Sequence, residues 1–220
     1  MPRAVVTRSP HREVGVVNPG WLLDHAVEHE SSLERRFIMV ALSCPVVRDI
    51  HHQPCEVDLT LACGVTCKYT PDFLLSLVDG SEVIVEVKPE KFVPEHAMKL
   101  DAARAAFNLQ GIEFEAFTDT MIDGSGLSAR AILLMRFGRM TFSLEQAMKC
   151  KAELESRCDG SATVRDLVAN GVNEDLIWNL VALHQLRVPA GLNLSEEEVV
   201  SLNQHQGDCH VYLRQWFGVA

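Results

Sequence analysis

The chain has 220 residues, of which 47% are hydrophobic and 23% charged, a composition typical of a globular protein with one sizeable core or two small domains. Its formal net charge of −10 argues against tight unaided binding to a polyanion, because neutralising phosphates requires clustered Lys and Arg. The sequence contains no run of about 18 uncharged apolar residues and no apolar secretory signal near its start. We therefore expect a cytoplasmic protein that does not contact membrane.

The first half of the chain alternates helical and extended patterns. Residues 1–19 mix Pro, Gly, Arg and His without a period and are predicted to form a flexible arm. Apolar residues recur at helical spacing between 21 and 42, with Leu33, Phe37 and Ile38 on one stripe. Short runs rich in Val, Leu and Ile predict strands over residues 46–50, 56–62, 73–78, 83–87 and 113–118, with a helix over 95–110. This order predicts an α/β fold in which helices flank a mixed sheet.

After residue 123 the composition shifts towards helix. Apolar periodicity predicts five short helices over residues 129–139, 143–157, 163–169, 174–186 and 195–202. The turn Asn170-Gly171-Val172-Asn173 is typical of a helix-turn-helix, but a bundle that only docks to another protein fits as well, since 174–186 contains no Lys or Arg. The alternating segment 211–217 suits a strand or a partner-binding peptide, and we expect it to pack on its own domain. The chain thus divides into an arm over 1–19, a first domain over 20–122 and a small all-α, helix-turn-helix or winged-helix-like domain over 123–220.

Seven cysteines are scattered along the chain, an odd number that does not indicate a disulfide framework. In a cytoplasmic protein we expect reduced thiols. Cys63 and Cys67 are the closest pair, but no second Cys or His pair at zinc-ligand spacing follows them, so we expect no zinc site there.

Charged residues lie at the ends of the two apolar strands on either side of Asp79-Gly80. This dipeptide is a strong hairpin signal, and a three-residue loop over 79–81 pairs Asp72 with Lys88. Alternation along the second strand puts Glu86 and Lys88 on the face that Asp72 shares. Two carboxylates and one ammonium group are therefore predicted to converge.

Carboxylates packed this closely repel one another unless a cation lies between them, and hard oxygen ligands suit Mg²⁺ or Mn²⁺. Such a site can generate a nucleophile from water and neutralise charge on a phosphoryl oxygen. The alternative is a surface salt bridge between Asp72 and Lys88. Against that alternative, Glu86 and Lys88 lie within a strand that would otherwise hold apolar residues on both faces.

Pro71-Asp72 followed by Glu86-Val87-Lys88 matches the PD-(D/E)xK pattern of the restriction-endonuclease-like superfamily. Further segments resemble, in order and spacing, the TnsA family, the endonuclease subunit of heteromeric transposases. These segments are "SSLERRF" at 31–37, "QP" at 53–54, "YTPDFLL" at 69–75, "VEVKPEK" at 85–91 and "FEAFTD" at 114–119. The resemblance covers residues 20–122, and the helices that follow resemble the helical domain of that family in order and length only.

The resemblance implies an Mg²⁺-dependent endodeoxyribonuclease, with Mn²⁺ as a substitute, that hydrolyses phosphodiesters at the 5′ ends of a transposon. Its expected partners are transposon-end DNA, a TnsB-type recombinase that cuts and joins the 3′ ends, and a TnsC-type AAA+ regulator. The implied metal ligands and catalytic groups are Glu34, Asp72, Glu86, the backbone carbonyl of Val87, and Lys88, which orients the attacking water, with Gln53 in support.

Glu34 also has a purely structural interpretation. Ser31-x-x-Glu34 is a capping box, in which the glutamate satisfies backbone N–H groups at a helix start. However, Glu34 neighbours Leu33 on the stripe that faces the sheet. A carboxylate on such a face is costly to bury unless it has a partner or a function. Glu30, one turn earlier, is the alternative acid.

Two other functions are open at this point. His25-Ala-Val-Glu28-His29 fits the H-x-x-E-H pattern of a zinc metallopeptidase, which requires both imidazoles on one helix. The chain could also be a catalytically silent adaptor that keeps the nuclease fold for docking, an interpretation that the intact Asp72, Glu86 and Lys88 disfavour.

Overall fold

The computed structural model describes residues 13–202 and 207–219. The chain divides into two compact units. The first comprises the described residues up to Ile38 together with Val46–Gly124, and the second comprises Met39–Pro45 and the described residues from Ser125 onwards.

The first unit begins with two short strands and the first part of a helix. Strand β1, Gly15–Val17, pairs antiparallel with β2, Val27–His29, and helix α1 follows over Ser32–Ser43. Within the predicted flexible arm over 1–19, residues 15–17 thus form a paired strand, and residues 1–12 lie outside the described residues. The helix starts at Ser32 rather than near 21, because the preceding segment pairs as a strand.

A four-stranded mixed sheet forms the centre of this unit. It consists of β3 (Val47–His52), β6 (Phe73–Leu77), β7 (Glu82–Lys88) and β8 (Glu113–Thr118), in the order β3-β6-β7-β8. Neighbours are antiparallel except β7 and β8, which are parallel and are joined through helix α2, Val93–Asn108. A separate hairpin of β4 (Val57–Thr60) and β5 (Thr66–Tyr69) precedes β6, and a short helix α3, Asp119–Asp123, follows β8.

Helices cover both faces of the sheet. On one face Ile84 and Phe114 pack with Leu100 and Phe107 of α2 in a single apolar cluster. On the other face the ring of Phe37, from α1, stacks on sheet residues, with ring-centre distances of 5.2 Å to Phe73 and 5.6 Å to Phe117. The predicted mixed sheet flanked by helices is confirmed, and this arrangement is consistent with a nuclease fold.

The turn of the central hairpin corrects the predicted register. Ser76 pairs with Glu82, so the loop comprises residues 78–80 instead of 79–81, and every pairing moves by two residues. Gly80 has φ +88°, which fits the last position of a three-residue loop, where the left-handed conformation is required. A shift of two preserves the strand faces, so the predicted grouping of side chains survives the error.

The second unit contains both helices and strands. Its helices are α4 (Leu127–Phe137), α5 (Leu144–Glu155), α6 (Val164–Ala169), α7 (Glu174–Ala182) and α8 (Cys209–Trp216). Strands β9 (Ser161–Thr163), β10 (Leu186–Arg187) and β11 (Val199–Leu202) form an antiparallel sheet in the order β10-β11-β9. The predicted all-α composition is therefore wrong.

Two local predictions in this unit also fail. Residues 199–202 form a strand, not the end of a helix over 195–202. The segment over 211–217 is mostly helical, and the hydroxyl of its Tyr212, which is buried, donates to the carbonyl oxygen of Val188 at 2.6 Å. The predicted packing of this segment on its own unit is confirmed, although its secondary structure is not.

The seven cysteines all lie within the described residues, and none of them forms a disulfide there. Among the described residues, every helix is too short or too polar to cross a membrane.

Candidate active site

The charged residues predicted from the hairpin do lie together in the first unit. Asp72 directly precedes β6, and extending the strand register by one residue places it opposite Glu86, two positions before Lys88. A cavity of about 540 Å³ opens here, and its wall includes Glu34, Asp72, Val87 and Lys88.

Glu86 is the most enclosed of these acids, with 7% of its surface exposed. Its Oε2 accepts a hydrogen bond of 2.7 Å from the phenol of Tyr69, and its Oε1 forms an ion pair of 2.7 Å with Nζ of Lys88. Both carboxylate oxygens are therefore held in a fixed orientation. Sequence reasoning assigned no role to Tyr69, although it begins the segment "YTPDFLL", three residues before Asp72.

The environment of Tyr69 keeps the phenol protonated. Burial raises the pKa of Tyr69, and the negative charge of Glu86 raises it further. The hydroxyl therefore acts as a donor to Glu86 throughout the physiological pH range.

Asp72 is held by the backbone of the facing strand. Its Oδ2 accepts a hydrogen bond of 2.7 Å from the N–H of Val87. Burial raises the pKa of Asp72 well above its ordinary value, and the charges of Glu86 and Glu34 add to this, while the Val87 N–H and Lys88 oppose it. The site thus has more negative charge than its own cation balances.

Glu34 lies in the first turn of α1 and takes part in its cap. Its Oε1 accepts from Oγ of Ser31 at 2.8 Å, its Oε2 accepts from the N–H of Glu30 at 2.6 Å, and its own N–H donates to Ser31 Oγ at 3.1 Å. The same carboxylate borders the cavity and raises the pKa of Asp72. The capping interpretation is therefore realised without removing Glu34 from the site.

Gln53 connects Glu30 to Asp72. Its N–H donates to the carbonyl oxygen of Asp72 at 2.8 Å, and its Nε2 donates to Oε1 of Glu30 at 3.0 Å. Gln53 has φ +41°, in the left-handed region, so the chain is bent sharply at this contact. The alternative acid Glu30 also borders the cavity.

The carboxylates of Glu34, Asp72 and Glu86 offer hard oxygen ligands of the kind that Mg²⁺ and Mn²⁺ prefer, and Val87 borders the same cavity. Their spacing is looser than that of a closed cage. Within residues 13–202 and 207–219, the only group whose ligand atoms all lie within 4.8 Å of one another is His25, Asp49 and His51.

The H-x-x-E-H segment does not form a peptidase site. Glu28 and His29 belong to strand β2 and His25 precedes it, so the two histidines are not one helical turn apart as the motif requires. His29 is buried, and Glu28 lies 3.4 Å from Nε2 of His52. The zinc metallopeptidase interpretation is therefore wrong on geometry.

One family model, described as TnsA-like endonuclease N terminal, matches residues 44–119, about a third of the chain. The matched range contains Gln53, Asp72, Glu86 and Lys88, whereas Glu34 and nearly all of the second unit lie outside it. No curated protein matches the chain. The matched range contains the four-stranded sheet and, within the charged cavity, Asp72, Val87 and Lys88, so this part of the chain is similar to the N-terminal domain of TnsA-like endonucleases.

Proposed function

We propose that the protein is the metal-dependent DNA endonuclease of a heteromeric transposase, which hydrolyses phosphodiesters at the 5′ ends of the transposon. The observation that supports this most directly is the grouping of Asp72, Glu86 and Lys88 at one end of a hairpin within a TnsA-like domain. Cleavage of both strands at each end allows cut-and-paste movement when a TnsB-type recombinase handles the 3′ ends.

Asp72, Glu86 and the carbonyl of Val87 would hold the metal, with Glu34 as a further ligand from α1. Bound Mg²⁺ supplies charge neutralisation at the phosphoryl oxygen and lowers the pKa of water. Lys88 orients the attacking water, and its ion pair with Glu86 fixes the position of its ammonium group. The hydrogen bond from the Val87 N–H to Oδ2 orients the carboxylate of Asp72, and Oδ1 is the oxygen that would bind the metal.

Tyr69 and Gln53 act as positioning residues in this proposal. Tyr69 fixes the carboxylate of Glu86 through its hydroxyl. Gln53 holds the backbone of Asp72 and the side chain of Glu30, so it sets the distance between the start of α1 and the hairpin. Neither residue needs to contact DNA for these roles.

Recruitment by partners accounts for the charge of the chain. A formal net charge of −10 opposes binding to DNA, so transposon-end DNA must be presented by the TnsB-type recombinase and a TnsC-type AAA+ regulator in the cytoplasm. We expect the isolated chain to cut duplex DNA poorly, which limits stray cleavage.

For the second unit we propose a winged-helix-like fold that docks to a protein partner. The order α5, β9, α6, α7, β10, β11 with sheet order β10-β11-β9 supports this assignment. In α7, the helix after the Gly171 turn, residues from Leu176 to Ala182 are all buried, and the helix contains no Lys or Arg. A helix of this kind has little surface with which to read a DNA groove, which favours docking to protein.

The test compares wild type with Asp72→Asn on a labelled transposon-end duplex, with the partners present, in Mg²⁺ and in chelator. We expect cleavage only by wild type and only in Mg²⁺. Equal cleavage by the variant, in a complex that still assembles, would show that the chain is a silent adaptor and that the nuclease lies elsewhere.

A further inference from the structure

A second group of metal-ligating side chains lies at the edge strand of the sheet, among residues to which the proposed nuclease reaction gives no role. His25 precedes β2, and Asp49 and His51 lie two residues apart in β3. Their ligand atoms all lie within 4.8 Å of one another.

The backbone aims these side chains at one point. The register between β3 and β6 shifts between Val47 and Asp49, and a bulge of this kind redirects the side chains that follow it. Alternation then places His51 on the side of Asp49. The rings of His25 and His51 are stacked with centres 5.0 Å apart and planes 8° from parallel, so both imidazoles present an edge to the same carboxylate.

The hydrogen bonds of this group indicate that it needs a cation. Nε2 of His25 lies 2.7 Å from Oδ1 of Asp49, and Nε2 of His51 lies 3.2 Å from Oδ2. Nδ1 of His25 lies 3.3 Å from the carbonyl oxygen of Ala26, an acceptor that selects the tautomer with its proton on Nδ1. With its proton on Nδ1, His25 directs the lone pair of Nε2 at a carboxylate oxygen, a contact that a bound metal ion or a second proton on the ring makes favourable.

We propose that His25, Asp49 and His51 bind a divalent transition-metal ion of the zinc class, which joins the segment before β2 to the edge strand β3. Two imidazoles and one carboxylate are the donor set that such ions prefer, whereas Mg²⁺ prefers the all-oxygen site. Imidazole and carboxylate ligands lie about 2.0–2.2 Å from zinc, which places tetrahedral neighbours about 3.4 Å apart. The observed separations of 2.7 Å and 3.2 Å therefore need only small side-chain movements.

The surroundings of these three side chains favour a bound metal ion. A surface cavity of about 370 Å³ borders both imidazoles, so an ion and a water ligand can enter. The carbonyl of Ala26 lies beside Nδ1 of His25. Metal-ligating histidines commonly donate their other ring N–H to a carbonyl in this way. With half of its side chain exposed, His51 is accessible without any opening of the fold.

The experiment titrates Zn²⁺ into the full reduced chain in the presence of excess Mg²⁺, which occupies the acidic site. Affinity is measured by competition with a chromophoric chelator, and the donor atoms are identified by X-ray absorption at the zinc edge. We expect one zinc ion bound through nitrogen and oxygen. Removing a ligand in Asp49→Asn or His51→Ala should weaken binding at least about tenfold.

His52→Ala is the matched control, because His52 borders the same cavity and follows His51 in β3, but its Nε2 lies 3.4 Å from Glu28 and not at Asp49. It should bind zinc as wild type does. Circular dichroism checks that each variant folds. If the variants in β3 do not fold, zinc affinity is measured in His25→Ala, which lies in the segment before β2. Unchanged affinity in the ligand variants, or sulfur among the donors, would overturn the proposal and leave the group as a protonated His–Asp–His cluster. Because the readout is zinc affinity, neither result depends on nuclease activity.

Discussion

The hydroxyl of Tyr69 donates a hydrogen bond of 2.7 Å to Oε2 of Glu86, across from the ion pair that Lys88 makes with Oε1. Tyr69 belongs to the β4–β5 hairpin and Glu86 to the central sheet, so one contact links the two. The phenol also belongs to the apolar cluster beneath α2. The orientation of a proposed catalytic carboxylate therefore depends on a side chain anchored in the core.

Tyr69→Phe should reduce cleavage while leaving the fold intact. Loss of a hydrogen bond to a charged group costs about 1.5–3 kcal/mol, and we expect cleavage to fall about tenfold or more. The Mg²⁺ concentration for half-maximal cleavage should rise, since Glu86 is freed to move. Tyr212→Phe is the matched control, because that hydroxyl donates to the carbonyl of Val188, within the second unit. Equal Mg²⁺ dependence in wild type and Tyr69→Phe would contradict the positioning role.

Asp72→Asn should stabilise the metal-free protein at neutral pH. Because the pKa of Asp72 is raised in the folded chain, the unfolded chain releases this proton at lower pH. The free energy of unfolding therefore falls as pH rises from the ordinary carboxyl pKa through the raised pKa. Asparagine retains an acceptor for the Val87 N–H and removes the charge, so we expect a gain of about 1 kcal/mol.

Chemical denaturation at several pH values measures this difference, which should vanish in acid. Mg²⁺ should stabilise wild type but not the variant. Asp101→Asn serves as control, because that side chain is 74% exposed and lies on α2. A variant less stable than wild type at neutral pH without metal would contradict the account.

Variants at the start of α1 separate the two roles of Glu34. Glu34→Gln keeps a capping side chain but removes the charge, so we expect stability near that of wild type together with a large loss of cleavage. Ser31→Ala breaks the cap and keeps the acid, so it should cost about 1 kcal/mol of stability and leave cleavage largely unchanged. Full activity of Glu34→Gln would assign Glu34 to the cap alone and direct attention to Glu30.

His184 should make the stability of the protein sensitive to mild acid. Burial lowers the pKa of His184 to about 4, although the carbonyl of Leu42, 2.9 Å from Nε2, opposes the shift. The unfolded chain binds this proton near pH 6.5, so stability is lost as pH falls from about 6.5 towards about 4.

His184→Asn should flatten this pH dependence, by on the order of 2 kcal/mol across the window. Asparagine also tolerates the φ of +55° at this position. His96→Asn is the control, since its Nδ1 lies 3.0 Å from the carbonyl of Phe92 at the surface. Parallel pH profiles for wild type and His184→Asn would refute the assignment.

The grouping of Asp72, Glu86 and Lys88 was predictable because the face on which a strand residue lies depends only on whether its position is odd or even. The error of two residues in the hairpin left Asp72, Glu86 and Lys88 on one face, whereas an error of one would have separated them. The position of the turn was misjudged because Asp79-Gly80 marks a turn without fixing which loop position the glycine takes.

Other features of the fold could not be predicted from local sequence patterns. Strands β9 to β11 contain two to four residues each, too few for alternation to show, so the second unit was predicted to be all helix. Glu28 and His29 fitted a helical motif but pair with β1 instead. Contacts between residues distant in sequence, such as Tyr69 with Glu86 and His25 with Asp49, depend on the assembled sheet.

The measurement that tests the central claim most directly is strand-resolved cleavage of a labelled transposon-end duplex in Mg²⁺, with the cognate recombinase and regulator present. Wild type is compared with Asp72→Ala and Lys88→Ala. We expect cuts at the 5′ ends to disappear in both variants while cuts at the 3′ ends persist. Unchanged products in both variants would contradict the assignment of Asp72 and Lys88 to a nuclease site.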